Sequence, residues 1–147
     1  MLTSSDCQKR FGLPEPTLEW EGRLMVLWDV PTSINDAIPA LPNKIYCNRL
    51  MPVPLENAFR LLIKRDLHIE IRTWDGCYNI RKMRGLASRS LHSWGVAVDL
   101  NAAWNGLGKV PSFSKEFADC FKVCGFDWGG DWAMPRTDGM HFQLKNL

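Results

Sequence analysis

Two stretches of the sequence carry apolar residues at the spacing of one helix face. The first begins near Pro54, which suits a first helical turn because its nitrogen has no proton to leave unpaired, and continues to Arg65. The second begins after Ser114, a good N-cap residue, and ends at Gly125, which suits a helix end. The predicted apolar faces consist of Leu55, Ala58, Phe59, Leu62 and Ile63 in the first helix, and Phe117, Ala118, Phe121 and Cys124 in the second.

Alternation of apolar and polar residues predicts two strands that also carry polar side chains of chemical interest. In the first, Val96, Val98 and Leu100 form an apolar face, and Asp99 lies on the other face. In the second, from about Met140 to Leu144, His141 and Gln143 point away from the apolar face. If these two strands pair, Asp99 and His141 share one face of the sheet.

Further elements follow from shorter patterns. The alternation in residues 67–71 predicts a half-buried strand that ends at a turn at Asp75-Gly76. Residues 24–30 predict a buried strand, and residues 44–48 another short one. Thr3 and Asp6 have the spacing of a capping box, which predicts a short first helix.

Helices and strands are mixed without a regular βαβ alternation, which favours an α+β fold with a small antiparallel sheet flanked by helices. A chain of 147 residues can bury a sizeable core without disulfides, so we expect one domain over residues 1–147. Seven of the nine prolines lie in the first 54 residues, which predicts a loop-rich N-terminal third.

Composition excludes several classes of protein. A net charge of +2 with scattered lysines and arginines gives little support for nucleic-acid binding. There is no run of about eighteen apolar residues and no apolar segment of a secretory signal at the start, so we expect a protein made in the cytoplasm without membrane insertion. We also expect a monomer. The five cysteines are odd in number and lack paired C-x-x-C spacing, which argues against a disulfide framework and an all-thiolate zinc site.

Seven tryptophans are unusual for a chain of this length. Four of them lie in the segments that carry the candidate chemistry: Trp74, Trp94, Trp128 and Trp132. Indole rings occur both in cores and as walls of polymer-binding clefts, and the sequence leaves both interpretations open.

His92, Asp99 and His141 form a candidate metal site. Gly95 marks a turn between His92 and the strand that contains Asp99, so His92 can fold back toward this carboxylate. Two imidazoles and one carboxylate are a ligand set of catalytic zinc, which keeps its fourth position for water. His68 is not accompanied by any such motif, and we expect it to be an ordinary core or surface histidine.

The pattern S-x-H-x-x-G-x-A-x-D from Ser90 to Asp99, followed by D-x-x-H from Asp138 to His141, resembles the signature of the M15 metallopeptidases. The stretches GCYNIRKMRG and FDWGGDW are similar to the branch that includes phage endolysins. The likeness extends roughly over residues 73–144. It implies a Hedgehog/DD-peptidase type of α+β fold, zinc dependence and cleavage of a peptide bond in the stem peptide of bacterial peptidoglycan.

Residue by residue, the resemblance implies zinc ligation by His92, Asp99 and His141, catalysis by Asp138, and substrate contacts by Arg81 and Ser90. One departure is Gln143, because many M15 peptidases have glutamate after the His-Phe pair.

Elementary chemistry agrees with these roles. Asp138, three residues before a ligand, can take a proton from the attacking water and pass it to the leaving amine. A guanidinium can stabilise the negative charge of the tetrahedral intermediate or grip a substrate carboxylate; Arg81 is the first candidate and Arg84 the second. Trp132 is a candidate wall of the substrate site.

Several functions remain open at this point. An endolysin that cleaves the L-alanyl-D-glutamate bond and acts on the wall after release from the cytoplasm is the leading hypothesis, with a D-alanyl-D-alanine carboxypeptidase second. A glycosidase is conceivable, since Asp138 with Asp99 or Asp131 could supply two carboxylates. The remaining alternatives are a non-catalytic module that binds wall polymer through its tryptophans, and a zinc site kept for structure.

Overall fold

The computed structural model describes all 147 residues and has a mixed α+β architecture. The helices are α1 (Ser4–Phe11), α2 (Leu18–Leu24), α3 (Thr32–Ala37), α4 (Pro52–Lys64) and α5 (Lys115–Val123). The strands are β1 (Met25–Asp29), β2 (Lys44–Asn48), β3 (Trp74–Gly76), β4 (Ala97–Leu100), β5 (Phe126–Trp128) and β6 (His141–Leu144). Short 3₁₀ helices cover His68–Glu70, Leu91–Trp94, Ala102–Trp104 and Gly129–Asp131. None of the helices is long and apolar enough to cross a membrane.

The main sheet has four antiparallel strands in the order β3-β4-β6-β5. In its centre, β4 and β6 pair so that Asp99 lies opposite His141 and Val98 lies opposite Phe142. Because side chains alternate along a strand, Asp99 and His141 project from one face and Phe142 from the other. The predicted fold class and the predicted pairing of these two strands are therefore confirmed.

Aromatic side chains fill the space between the sheet and the helices. Phe142 of β6 contacts Phe121 of α5, with ring centroids 4.3 Å apart, and Phe121 in turn meets Phe59 of α4. All three rings are fully buried. Helices α4 and α5 thus cover the face of the sheet that carries Phe142, which leaves the opposite face for Asp99 and His141.

The predicted helices are confirmed, with small shifts at their ends. The hydroxyl of Thr3 accepts from the backbone N–H of Asp6, as in a capping box, at the start of α1. Helix α4 begins at Pro52, two residues before the predicted first turn. Ser114 caps α5, and Gly125 follows this helix with a φ of 100°, a conformation that favours glycine.

The strand predicted for residues 24–30 forms, but the prediction that it is buried is wrong. Strand β1 pairs only with β2 in a separate two-stranded ribbon, with Leu27 opposite Tyr46. Leu27 is 54% exposed because no further layer covers this side of the ribbon.

The strand predicted for residues 67–71 is wrong. Asp66 has a φ of 56°, which turns the chain at the end of α4, and residues 68–70 form a 3₁₀ helix instead. Ile69 is 76% exposed, whereas the carboxylate of Glu70 accepts from both the backbone N–H and the hydroxyl of Ser114. The strand of this region lies further on, where Trp74 pairs with Leu100 in place of the predicted turn.

Candidate metal centre

The three predicted metal ligands meet on the face of the sheet opposite α4 and α5. His92 Nε2 lies 3.2 Å from Asp99 Oδ2, and His141 Nδ1 lies 3.4 Å from Asp99 Oδ1. The two imidazole nitrogens are 3.2 Å apart. One donor atom from each residue therefore lies within 4.8 Å of the other two, which is close enough for a single ion to contact all three.

His92 reaches this face through a tight turn. The hydroxyl of Ser90 caps the 3₁₀ helix Leu91–Trp94 by accepting from the His92 backbone N–H. Gly95 ends it in the left-handed conformation, with a φ of 66°. A Cβ at Gly95 would lie 2.8 Å from the backbone nitrogen of Asn48, so both the conformation and the close approach require glycine.

The orientation of the His92 ring is set by a backbone carbonyl. His92 Nδ1 lies 2.7 Å from the carbonyl oxygen of Cys77. Because a carbonyl oxygen only accepts, Nδ1 carries a proton in this bond, and in the neutral ring Nε2 presents its lone pair to Asp99. An outer hydrogen bond of this kind is typical of metal-binding histidines.

The charges in the cluster favour the binding of a cation. Burial alone would raise the pKa of Asp99, but the adjacent His141 and His92 outweigh it and hold the pKa far below its ordinary value. Burial alone would lower the pKa of His141, but the adjacent Asp99 carboxylate raises it. Asp99 Oδ1 is buried without a hydrogen-bond partner. A buried carboxylate with an unused oxygen, facing two imidazole nitrogens, fits a metal ion.

Asp138 lies beside this cluster without being part of it. Its backbone N–H donates to the carbonyl of Gly129, and its own carbonyl accepts from the His141 N–H at 3.1 Å. Glycine is needed at position 129, because a Cβ there would lie 2.3 Å from the Asp138 carbonyl oxygen. Asp138 Oδ1 is buried and unpaired, and burial, together with the charge of Asp99, raises the pKa of this carboxyl. A carboxylate in this state is a better proton acceptor than an exposed one.

The cluster lies at the bottom of an open cleft with two adjoining parts. Both parts share Arg81, Arg84, Asp99 and Met140. The first part is further lined by Ser90, Leu107, Trp132, Arg136, Asp138 and His141, and the second by Asp75, Tyr78, Asn79, Lys82 and His92. The structure thus brings every residue that the sequence suggested for substrate contact into one cleft with the cluster.

Other residues that the sequence suggested as cleft walls or catalytic carboxylates lie outside the cleft. Trp94 and Trp128 are buried in the core, and Trp74 is half-buried against it, so among the four tryptophans only Trp132 lines the cleft. Asp131 is exposed, forms an ion pair with Lys122 at 2.6 Å and does not line the cleft. It is therefore a poor candidate for a catalytic carboxylate.

Arg136 is a cleft residue that the sequence did not reveal. Its guanidinium donates to the carbonyl of Arg84 at 2.8 Å, which joins the two loops on either side of the first part of the cleft. Three guanidinium groups, those of Arg81, Arg84 and Arg136, thus line a site with two carboxylates. A motif could not show this, because Arg136 lies in a loop and meets Arg84 only through the fold.

Two buried imidazoles and a carboxylate, with a second carboxylate beside them in an open cleft, define the type of site found in metal-dependent hydrolases. Residues 84–144 match the model of an M15 peptidase family described as D-alanyl-D-alanine carboxypeptidase. The segment that contains His92, Asp99, Asp138 and His141 thus matches an M15 peptidase family, as its motifs predicted. A comparison of the chain with curated proteins gives no match.

Proposed function

We propose that this protein is a zinc-dependent peptidase that hydrolyses the L-alanyl-D-glutamate bond in the stem peptide of bacterial peptidoglycan, as an endolysin does. The observation that carries the proposal is the cluster of His92, Asp99 and His141 beside the unpaired carboxylate of Asp138. Two nitrogens and one carboxylate oxygen suit zinc, and three protein ligands are the usual number at a catalytic zinc site.

Zinc, when bound, makes hydroxide available at neutral pH and polarises the scissile carbonyl. Asp138 accepts the proton of the attacking water and delivers it to the leaving amine, because its oxygen has no competing hydrogen bond. Arg81 lines both parts of the cleft and its charge acts on Asp138. Its guanidinium therefore stabilises the negative charge that develops at the scissile carbonyl oxygen.

The shape and charge of the cleft support an endopeptidase. The two parts of the cleft share Asp99 and have different linings beyond it, so the cleft offers room for more of a peptide than its terminal residue. Arg84 lines both parts and Arg136 lines the first, and both suit the carboxylates of an acidic stem peptide, because guanidinium groups grip carboxylates through paired hydrogen bonds.

A D-alanyl-D-alanine carboxypeptidase is the second candidate, and the description of the matching family favours it. The same arginines can hold the terminal carboxylate of such a substrate. Digestion of purified peptidoglycan followed by mass spectrometry separates the two functions: an endopeptidase frees the L-alanine carboxyl and the D-glutamate amine, whereas a carboxypeptidase releases D-alanine.

We expect a chelator to abolish the digestion and added zinc to restore it. New reducing sugar ends that form in the presence of chelator would show a glycosidase instead. Binding to the wall without any released fragment would show a binding module.

Cys77→Ser should retain most of the activity on peptidoglycan. Cys77 lies beside the cluster, but it serves His92 through its backbone carbonyl, which the substitution keeps. Burial raises the pKa of its thiol well above the ordinary value, so the thiol is not a nucleophile at neutral pH. The initial rate of peptidoglycan digestion measures the effect, and a loss of about a thousandfold would point to a thiol mechanism.

A further inference from the structure

Gln143 connects the candidate metal centre with the N-terminal segment of the chain. Its side chain is buried, with 3% exposed. Its amide oxygen lies 3.0 Å from His141 Nε2, and its amide nitrogen donates to the carbonyl of Leu2 at 3.0 Å. The amide of Gln143 therefore has a defined partner at each end.

The direction of these hydrogen bonds follows from the chemistry of the groups. The carbonyl of Leu2 can only accept, so the NH₂ end of the Gln143 amide must face it. The amide oxygen consequently faces His141 and can accept only from a protonated Nε2. With the proton held at Nε2, a neutral His141 ring has its lone pair at Nδ1, the nitrogen that lies 3.4 Å from Asp99 Oδ1.

We infer that Gln143 is a positioning residue that holds His141 in the tautomer that binds the metal, and that the Leu2 carbonyl fixes the orientation of the Gln143 amide. The inference rests on the proposed metal site. His92 is held in its metal-binding tautomer by the backbone carbonyl of Cys77. The equivalent contact to His141 comes from a side chain, so it can be removed by substitution.

Two substitutions separate the contact to His141 from the contact to Leu2. Gln143→Met has nearly the same shape but offers His141 no strong acceptor, so a neutral ring would bury an unpaired N–H. Gln143→Glu keeps an acceptor for His141 but has no proton to donate to Leu2. Asn35→Leu serves as the control, because Asn35 also donates to backbone carbonyls, those of Leu41 and Pro42, and lies outside the cluster.

The experiment is a competition titration of zinc against a chromophoric chelator for wild type and the three variants, with folding checked by circular dichroism. Loss of an outer hydrogen bond to a ligating histidine weakens metal binding by about 10- to 100-fold, which is the result expected for Gln143→Met. Gln143→Glu and Asn35→Leu should bind zinc like wild type. A purely structural role would lower the melting temperature of the Gln143 variants and leave their zinc affinity unchanged.

A second measurement reports on the proton itself. In the zinc-loaded wild type, NMR should show a downfield, slowly exchanging Nε2 proton of His141, which Gln143→Glu keeps and Gln143→Met loses. Wild-type zinc affinity in folded Gln143→Met, or weakened binding in folded Gln143→Glu, overturns the inference alone. If Gln143→Met does not fold, the Nε2 proton of His141 in the zinc-loaded wild type decides, because its absence there overturns the inference. Absence of zinc binding in wild type would overturn both this inference and the proposed function.

Discussion

Asp138→Ala should lower the rate of peptidoglycan hydrolysis by about 10²- to 10⁴-fold, the usual contribution of a general acid–base group, while the protein keeps its zinc. The carboxylate of Asp138 lies in the same cleft as the cluster but is not one of the three groups whose donor atoms converge. Its removal should therefore affect proton transfer and leave metal binding intact. Turnover, zinc content and wall binding are the quantities to measure.

Three variants complete the test of Asp138. Asp138→Asn should behave like Asp138→Ala, since an amide cannot accept the proton. Asp131→Ala is the matched control, because Asp131 lies outside the cleft and pairs with Lys122, and it should retain activity. Asp99→Ala should lower both zinc affinity and rate. Loss of zinc from Asp138→Ala would make Asp138 a ligand, and full activity would place the base elsewhere.

His141→Ala should lose both zinc and hydrolysis, and His92→Ala should do the same, because each removes one of three ligands. We expect both variants to fold, since the core between β6 and the helices lies on the other face of the sheet, around Phe142 and Phe121. They should unfold at a lower temperature than zinc-loaded wild type, which gains stability from binding. Metal analysis, turnover and circular dichroism with a thermal scan measure these effects.

His68→Ala is the matched control for these variants. His68 lies in a separate 3₁₀ helix and takes no part in the cluster, so its removal should leave about one zinc per chain. Stoichiometric zinc in His141→Ala would contradict the assignment of the ligands. Metal that disappears only on substitution of Cys120 or Cys124 would move the site to α5.

The cluster could be predicted because the sequence encodes it in local patterns. The period of two in β4 and β6 places Asp99 and His141 on the polar faces of their strands, and Gly95 indicates the turn that returns His92 to them. Pairing of the two strands was the one assumption that had to be added. The register of Asp99 opposite His141 confirms it.

Features that depend on distant backbone groups could not be predicted in this way. His92 contacts the backbone carbonyl of Cys77. Every residue type has such a carbonyl, so the sequence gives no sign of this contact. The side chain of Asn101 bonds the backbone of Arg72 and Thr73 and the carbonyl of Glu70, so this region is held by a distant amide. An alternation of only five residues could not distinguish this arrangement from a strand.

The loop before β6 combines a part that is tied to the register of the strand and an exposed tip. From Asp138 onward, insertion of a single residue would reverse the alternation of β6, so that Phe142 faced the metal cluster and His141 faced the core. Residues 133–135, in contrast, are exposed and precede Arg136, which lines the cleft. Mutations that lengthen or replace this tip can alter which wall peptides fit while the chemistry stays the same. The tip is therefore the natural place to diversify when a library is made to change the substrate specificity of the proposed peptidase.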